Sequence, residues 1–322
     1  MNGVRMDNKV SVVIPVFNGE NFIARAITSV LAQTRPVAEI IVVNDGSTDR
    51  TQEVLDTFCD RITLITTPNR GVSRARNTGI ETSSGELIAF LDADDVWHDD
   101  KIERQVAFLD QDPTVGLCCC DYLIDNGSQI GAASHFEMLQ EKFGCSVELW
   151  RHDPLGMLLR GNFLGTTSTV LLRRDVLELV GLFNPRYKQA EDYDLWLRCA
   201  QVTRIDIMPE KLMRKVGHEN NLTNNQLEMY RYHEIVLNAL AIKRSFFARP
   251  EIQEQCHLEL ADVRYQIGSL FFERGEYTSS LRYYFGGLNT LYSRKNFLRF
   301  GYYISRKLAR IVSFGMMKNR LA

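Results

Sequence analysis

The sequence predicts an α/β fold, a mainly parallel sheet covered by helices on both faces, followed by a helical C-terminal extension. Three observations carry that prediction. Short β-branched runs alternate with helically spaced apolar residues, the signature of repeated strand–helix–strand units. The runs are nearly continuous in apolar residues rather than apolar at every second position, so both faces of the sheet are covered. From Gln226 onward the β punctuation stops and long helical stretches follow.

Val10 to Phe17 is the first strand and ends at Asn18-Gly19. Ile23, Ala26, Ile27, Val30 and Leu31 then recur at helical spacing, in a helix that must stop before Pro36. Glu39 to Asn44 is the second strand, and Asp45-Gly46-Ser47-Thr48-Asp49 turns the chain into a helix carrying Val54, Leu55 and Phe58. Strand, helix and strand repeat over Arg61 to Thr66, Gly71 to Thr82 and Glu86 to Leu91. Between Cys120 and Gly165 the pattern loosens around a turn at Asn126-Gly127-Ser128-Gln129. Thr166 to Arg173 reads as a strand, and Asp175 starts a helix ending near Gly181. Glu191-Asp192 opens another helix, with Leu195, Trp196 and Cys199 on its apolar side. Tyr265 to Leu288, broken at Gly275-Glu276-Tyr277, reads as one helix–turn–helix unit.

Composition excludes several classes. A chain of 322 residues with 45% hydrophobic and 24% charged residues is neither disordered nor fibrous. A net charge of -2 provides no global field for nucleic acid, so none is expected as partner. Met1 to Lys9 is polar and lacks the apolar core of an export signal. No run approaches the roughly 20 apolar residues of a transmembrane helix. The seven cysteines form an odd set without metal-ligand spacing, which reads as reduced, mostly buried thiols of a cytoplasmic protein. On the same ground the glycosylation-type triplets at Asn126 and Asn221 are idle.

In such a sheet the ligand crevice lies at the carboxyl ends of the strands. Four polar turns fall there: Pro15 to Asn18, Asp45, Asn69, and Asp92 to Asp94. The last follows the apolar run Leu87 to Leu91 directly. Clustered carboxylates repel one another, so keeping them ionised calls for a cation between them. Oxygen-only ligands favour Mg²⁺ or Mn²⁺, which keeps one or two protein carboxylates and completes its shell with water and phosphates. Asp95 and Asp99 read as caps of the next helix. Neither G-x-G-x-x-G nor a P-loop is present, so a nucleotide must be held in another way. Asp45 is placed to accept a ring N–H of a base, and a metal at Asp94 to neutralise a diphosphate.

Ser11 to Asn18, Val43 to Asp49, Arg74 to Gly79 and Leu91 to Asp95 resemble, in order and spacing, the four signature blocks of family 2 glycosyltransferases with the GT-A fold. A fifth block, Val180 to Asn184 followed by Glu191 to Arg198, is similar as well. The resemblance spans roughly residues 8 to 220; Asn44 departs from it mildly, where many members have Asp. It implies that Pro15, Val16 and Phe17 border the nucleobase and that Asp45 hydrogen-bonds it. Asn69, Gly71 and Arg76 would line the nucleotide cleft. Asp92 and Ala93 would contact the nucleotide sugar, and Asp94, with Asp92, the metal. Asp192 would be the general base and Glu191 a second acid, while His218 resembles a closing segment.

On these grounds the expectation is a metal-dependent, inverting transferase that moves a sugar from a nucleoside-diphosphate sugar, UDP favoured, to a hydroxyl acceptor. The acceptor would be a glycan or lipid-linked glycan in surface polysaccharide or glycolipid assembly. A non-catalytic sugar-nucleotide-binding scaffold is the alternative; nucleotidyl transfer lacks its glycine-rich N-terminal loop. Residues 1–225 would form the catalytic domain, 8–120 on the nucleotide side and 121–225 on the acceptor side, with 226–322 the helical extension. In the tail, Lys295, Arg299, Arg306 and Arg310 share one helical face and Phe297, Phe300, Ile304, Leu308 and Ile311 the other. Residues 291–314 therefore suit an anionic membrane surface, placing the protein on the inner face of the cell membrane. Packing of that apolar face on the catalytic domain is the competing reading.

Overall fold

A computed structural model describes residues 9–126, 129–144, 146–217, 225–242 and 250–290. The chain divides into two compact units, Met1–Asn224 and Asn225–Ala322.

The first unit is built on one nine-stranded sheet. Its centre is β1 (Val10–Val16), every residue of which is buried. Parallel neighbours lie on both sides: β2 (Glu39–Asn44) pairs Ile41 with Val13, and β4 (Leu87–Phe90) pairs Phe90 with Val13. The edge strand β3 (Thr63–Thr66) continues the parallel set beyond β2. Uniformly apolar strands follow from this position, because helices cover both faces. Helix α1 (Ile23–Leu31) sets Ile23, Ala26, Ile27 and Val30 into the core. The short α2 (Thr51–Asp56) buries Thr51 and Leu55. On α3 (Val72–Thr82), Gly79 lies so near the sheet that a Cβ would meet Val13 Cγ1 at 2.3 Å. Only glycine permits that approach.

The rest of the sheet is mixed, because its strands do not arrive in spatial order. Helix α4 (Lys101–Gln111) separates a short strand, β5 (Val96–Trp97), from the long β6 (Val115–Asp125). β7 (Ile130–Ser134) pairs with β6 and leads into α5 (His135–Phe143), α6 (Val147–His152) and α7 (Pro154–Arg160). β8 (Val170–Arg173) runs antiparallel between β4 and β6 and continues into α8 (Arg174–Val180). After α9 (Glu191–Cys199), β9 (Arg204–Val216) lies parallel to β6 and antiparallel to β5. The expected strand over Thr166 to Arg173 is thus only half a strand: Thr167–Thr169 forms a tight 3₁₀ turn. Thr166 Oγ1 accepts the Ser168 N–H there, and Gly165 enters with φ +78°, so the backbone turns before it extends.

Cys118, Cys119 and Cys120 lie on β6 with no exposure, and Cys118 and Cys120 face the main core. Beneath them, Lys101 is wholly buried, its Nζ 4.1 Å from the Trp97 ring centroid and 2.6 Å from Gln105 Oε1. Burial pushes this ammonium down to about 8.

The second unit contains α10 (Gln226–Ile242), α11 (Pro250–Glu273) and α12 (Tyr277–Leu288). Leu227, Ile267 and Phe271 form its core, and Gly275, at φ +77°, makes the expected break. Arg264 ties the three helices together through Glu234, Asn238 and the Gly286 carbonyl. No helix among the described residues is long and apolar enough to cross a membrane. Residues 291–314 and His218 lie outside the described residues.

Candidate active site

The parallel strands deliver their polar turns to one edge. After β1, Asn18 adopts φ +52°, an uncommon conformation for a non-glycine residue. Its Oδ1 accepts the Thr48 N–H at 2.8 Å, and its own N–H donates to Ser47 Oγ at 3.0 Å, clamping the loops after β1 and β2 together. Pro15 and Val16 are buried within the strand; Phe17, 49% exposed, is the side chain of the three that offers a surface. Asn44 is buried and bonds Gln52 and the Ser47 N–H.

Asp45 organises the loop after β3. Its Oδ1 accepts from the Arg70 N–H at 2.9 Å and Thr67 Oγ1 at 3.2 Å, and its Oδ2 from the Gly71 N–H at 2.8 Å. A carboxylate has about four acceptor positions, so three are taken here. Exposed Asn69 and Gly71 are carried by this loop, Gly71 at φ +90° where α3 begins. Neither Ser47 nor Thr48 caps α2; Asp49 accepts the Thr51 N–H instead.

The acids after β4 form a turn closed by the Asp95 N–H on the Asp92 carbonyl at 3.0 Å. Asp92 Oδ1 accepts from Arg76 Nη2 at 2.8 Å and Thr167 Oγ1 at 3.1 Å, and Oδ2 from Thr166 Oγ1 at 3.1 Å. Burial alone would raise this carboxyl, but the Arg76 charge and these three bonds hold it below the usual range. Ala93 and Asp94 are half-buried. Asp95 caps no helix: it is buried, five residues ahead of Asp100, where α4 begins, and accepts the Val216 N–H at 3.3 Å. Asp99 is exposed. Burial, then the charges of Asp92 and Asp94, hold the Asp95 carboxyl well above its ordinary value.

Opposite these acids α9 begins, entered through Ala190 at φ +60°. Successive residues of a helix point about 100° apart, and Glu191 and Asp192 diverge accordingly. Glu191 Oε1 meets Arg76 Nη1 at 2.6 Å. Asp192 Oδ2 accepts from Asn162 Nδ2 at 3.0 Å and Oδ1 from the Tyr193 N–H at 2.7 Å. Burial raises the Asp192 carboxyl, and pushes Glu191 to about 7 against the pull of Arg76. Arg76 therefore does more than line a cleft: it is buried, lies 5.3 Å from the Phe183 ring centroid, and joins Asp92 to Glu191.

Asn162, Thr166, Thr167 and Ser168 hold site carboxylates or their backbone without having been singled out in the sequence. The signal for the last three is the unbroken hydroxyl run Thr166-Thr167-Ser168-Thr169 after a glycine, too polar for a buried strand, and Asn162 carries none.

The donor set suits a hard divalent ion. It is oxygen-only: Asp92 and Glu191 bond the Arg76 guanidinium, Asp192 feels its charge, and Asp94 and Asp95 follow Asp92 in the same turn. Among the described residues no cluster of three or more His, Cys, Asp or Glu forms an all-protein metal cage. Mg²⁺ and Mn²⁺ do not need one when phosphates share the coordination.

Residues 11–181, just over half of the chain, match the model of glycosyl transferase family 2. The chain belongs to that family. An uncharacterised glycosyltransferase of Rickettsia typhi is 30% identical to this family 2 glycosyltransferase over 274 residues, covering 84% of this chain and 82% of the relative. Two solved structures share its fold, which is the GT-A fold. The mannosyltransferase PcManGT of Pyrobaculum calidifontis, in complex with GDP-Man and Mn²⁺, superposes with a TM-score of 0.61 at 18% identity, over 96% of this chain and 80% of that one. Residues 1–349 of Staphylococcus aureus TarS, in complex with UDP-GlcNAc, superpose at 0.57 and 17% identity, over 89% and 93%.

Proposed function

We propose that this family 2 glycosyltransferase moves a sugar from a nucleoside-diphosphate sugar, UDP favoured, to an acceptor hydroxyl with inversion, and that Asp192 is the general base. One observation carries the reading: Arg76 joins the acids after β4 to the first turn of α9, so donor-side carboxylates and the candidate base are held in one frame. Asp192 is aimed by Asn162 and by its own helix N-terminus, and burial raises its proton affinity, as a base requires. It takes the proton as the acceptor oxygen attacks the anomeric carbon from the side opposite the departing diphosphate. Asp94, with Asp92, would hold a divalent ion, which when bound supplies charge for the leaving phosphates. Phe17, Asp45, Asn69, Gly71 and Ala93 border the nucleotide; Pro15 and Val16 support them from the sheet. Residues 8–120 thus serve the donor, and 121–225 the acceptor. Bound UDP-GlcNAc and GDP-Man in the two neighbours support a nucleotide-sugar donor. A glycan or lipid-linked glycan on the cytoplasmic face, in surface polysaccharide or glycolipid assembly, is the acceptor class we favour.

A thermal-shift screen of nucleoside diphosphates with Mn²⁺ identifies the base, since a ligand of the folded state raises apparent stability. With that donor, Asp192→Asn should slow nucleoside diphosphate release by about 10²–10⁴-fold at near-normal donor affinity. A large loss of donor affinity would make Asp192 a binding residue, and near-normal release would remove it from the mechanism.

A further inference from the structure

The turn that grips Asp92 is itself held from behind. Two adjacent carbonyls of this segment each accept a buried side-chain donor: Ser168 O from Trp97 Nε1 at 2.9 Å, and Thr169 O from Gln105 Nε2 at 2.8 Å. Both donors meet at Lys101. Its Nζ donates to Gln105 Oε1 at 2.6 Å and lies 4.1 Å from the Trp97 ring centroid. Lys101, Gln105, Ser168 and Thr169 have no exposure, and Trp97 is buried beside them. The Gln105 amide is fixed at both ends, since an ammonium can only donate to it and a carbonyl can only accept from it.

An ammonium in a protein core is unfavourable, and no carboxylate among the described residues pairs with this one. Methionine would fill the same space without a charge to desolvate. The charge has two neighbours to act on. A cation on the amide oxygen draws electrons from Nε2–H, and a cation over the indole face draws them from the ring that carries Nε1–H, so each becomes a stronger donor toward the turn. We infer that Lys101 is a positioning residue of the transfer site: through Gln105 and Trp97 it fixes the Ser168 and Thr169 carbonyls, and with them the Thr166, Thr167 and Ser168 hydroxyls that hold Asp92. That Asp92 then serves a nucleoside diphosphate and its metal rests on the function proposed above. The hold of Lys101 on the turn does not.

Two measurements on Lys101→Met in the full chain separate these steps. The first is amide hydrogen exchange without ligand. The N–H groups of Asp92, Ser168 and Thr169, each bonded within this turn, should exchange about tenfold faster, while those of β1 and β2 keep their parent rates. The second is calorimetric binding of UDP and of GDP in the presence of Mn²⁺. Whichever binds the parent should bind the variant about tenfold more weakly, as when a residue supporting a metal ligand is removed. Adding Thr166→Val to Lys101→Met should then weaken binding by less than the product of the two single losses, because both act on Asp92. Circular dichroism checks the fold. Trp97→Phe keeps the ring and deletes the N–H to Ser168 O, carries the same expectations, and stands in where Lys101→Met does not fold. Parent-like exchange over the turn, or loosening spread evenly over the sheet, overturns the inference. So does unchanged affinity in a loosened turn, or losses that simply multiply in the double variant. A parent that binds neither nucleotide would sink the proposed donor site instead, and the exchange rates would still decide whether Lys101 holds the turn.

Discussion

The two halves of the sheet hold their carboxylates differently. On the parallel side, Asp45 leaves β2 and is held by N–H groups of the loop after β3, the next strand along the chain and its neighbour in space. On the mixed side, Asp192 depends on Asn162, thirty residues upstream, and Thr166 and Thr167 of that side reach back to Asp92, which leaves the parallel strand β4 more than seventy residues earlier. One half is assembled locally, and the other is correct only once distant strands have found their order. Arg76 belongs to the first half and bonds both.

Breaking that link should have the largest effect. Arg76→Met leaves Asp92 and Glu191 without their cation in a mostly buried setting, and should cost about 3–5 kcal/mol in urea unfolding. If the loss is below about 1 kcal/mol, the two halves do not depend on this residue. A finer contrast comes from the polar partners on each side. Thr166→Val removes a bond to a charged carboxylate and should weaken nucleoside diphosphate binding in the presence of Mn²⁺ about tenfold. Asn162→Ala should spare that binding and slow diphosphate release about tenfold, with a shifted pH profile, because Asp192 loses the donor that favours its ionised form. Equal effects of the two changes on binding would erase the distinction between the halves.

Protons sharpen the comparison further. Glu191, at the start of α9, has its native carboxyl pushed from 4.5 to about 7, so between those values the folded protein holds a proton that the unfolded chain releases. Its contribution is present below pH 4.5 and is lost as pH rises toward 7, at up to about 1.4 kcal/mol per pH unit. Asp92, after β4, is lowered and acts with the opposite sign, its contribution lost as pH falls through its native value. Denaturant midpoints measured across this window should therefore show a flatter acid-to-neutral decline in Glu191→Gln than in the parent; identical slopes would return Glu191 to an ordinary ion pair. The smallest effect concerns the entrance to α9. Ala190 sits at φ +60°, so Ala190→Gly should raise stability by about 0.5 kcal/mol, the relief of a left-handed alanine less the added freedom of the unfolded chain. A destabilised glycine variant would mean that the alanine methyl packs too well to lose.

The same contrast explains how far the sequence could be read. The parallel strands at the centre of the sheet announced themselves, since β1, β2 and β4 are almost wholly buried and apolar at most positions. Their terminal turns therefore located Asp45 and Asp92 to Asp94 correctly at one edge. β5 has two residues and β7 has exposed positions, so neither carried a recognisable period. Thr166 to Thr169 looked like the start of a strand because hydroxyl residues favour extended backbone as well as tight turns; only the position of Asp92 in space shows which they serve. Asp95 was mistaken for a cap because its partner, the Val216 N–H, lies 121 residues on. Arg76 could be placed in the cleft, but not paired with Glu191, since no spacing rule links a helix after β3 to one after β8.

The buried row on β6 has a practical side. A thiol reacts as its thiolate, and burial pushes Cys120 up to about 11, Cys199 and Cys256 up to about 12, and holds Cys118 and Cys119 well above the ordinary thiol value. Among the described cysteines Cys59, just past α2, is exposed. A maleimide dye would therefore attach there in the native protein, on the parallel side of the sheet, while Cys118 to Cys120 stay silent until β6 is uncovered. Slow alkylation of those three, followed by mass spectrometry, would time the opening of the sheet's centre against a label already in place at its edge.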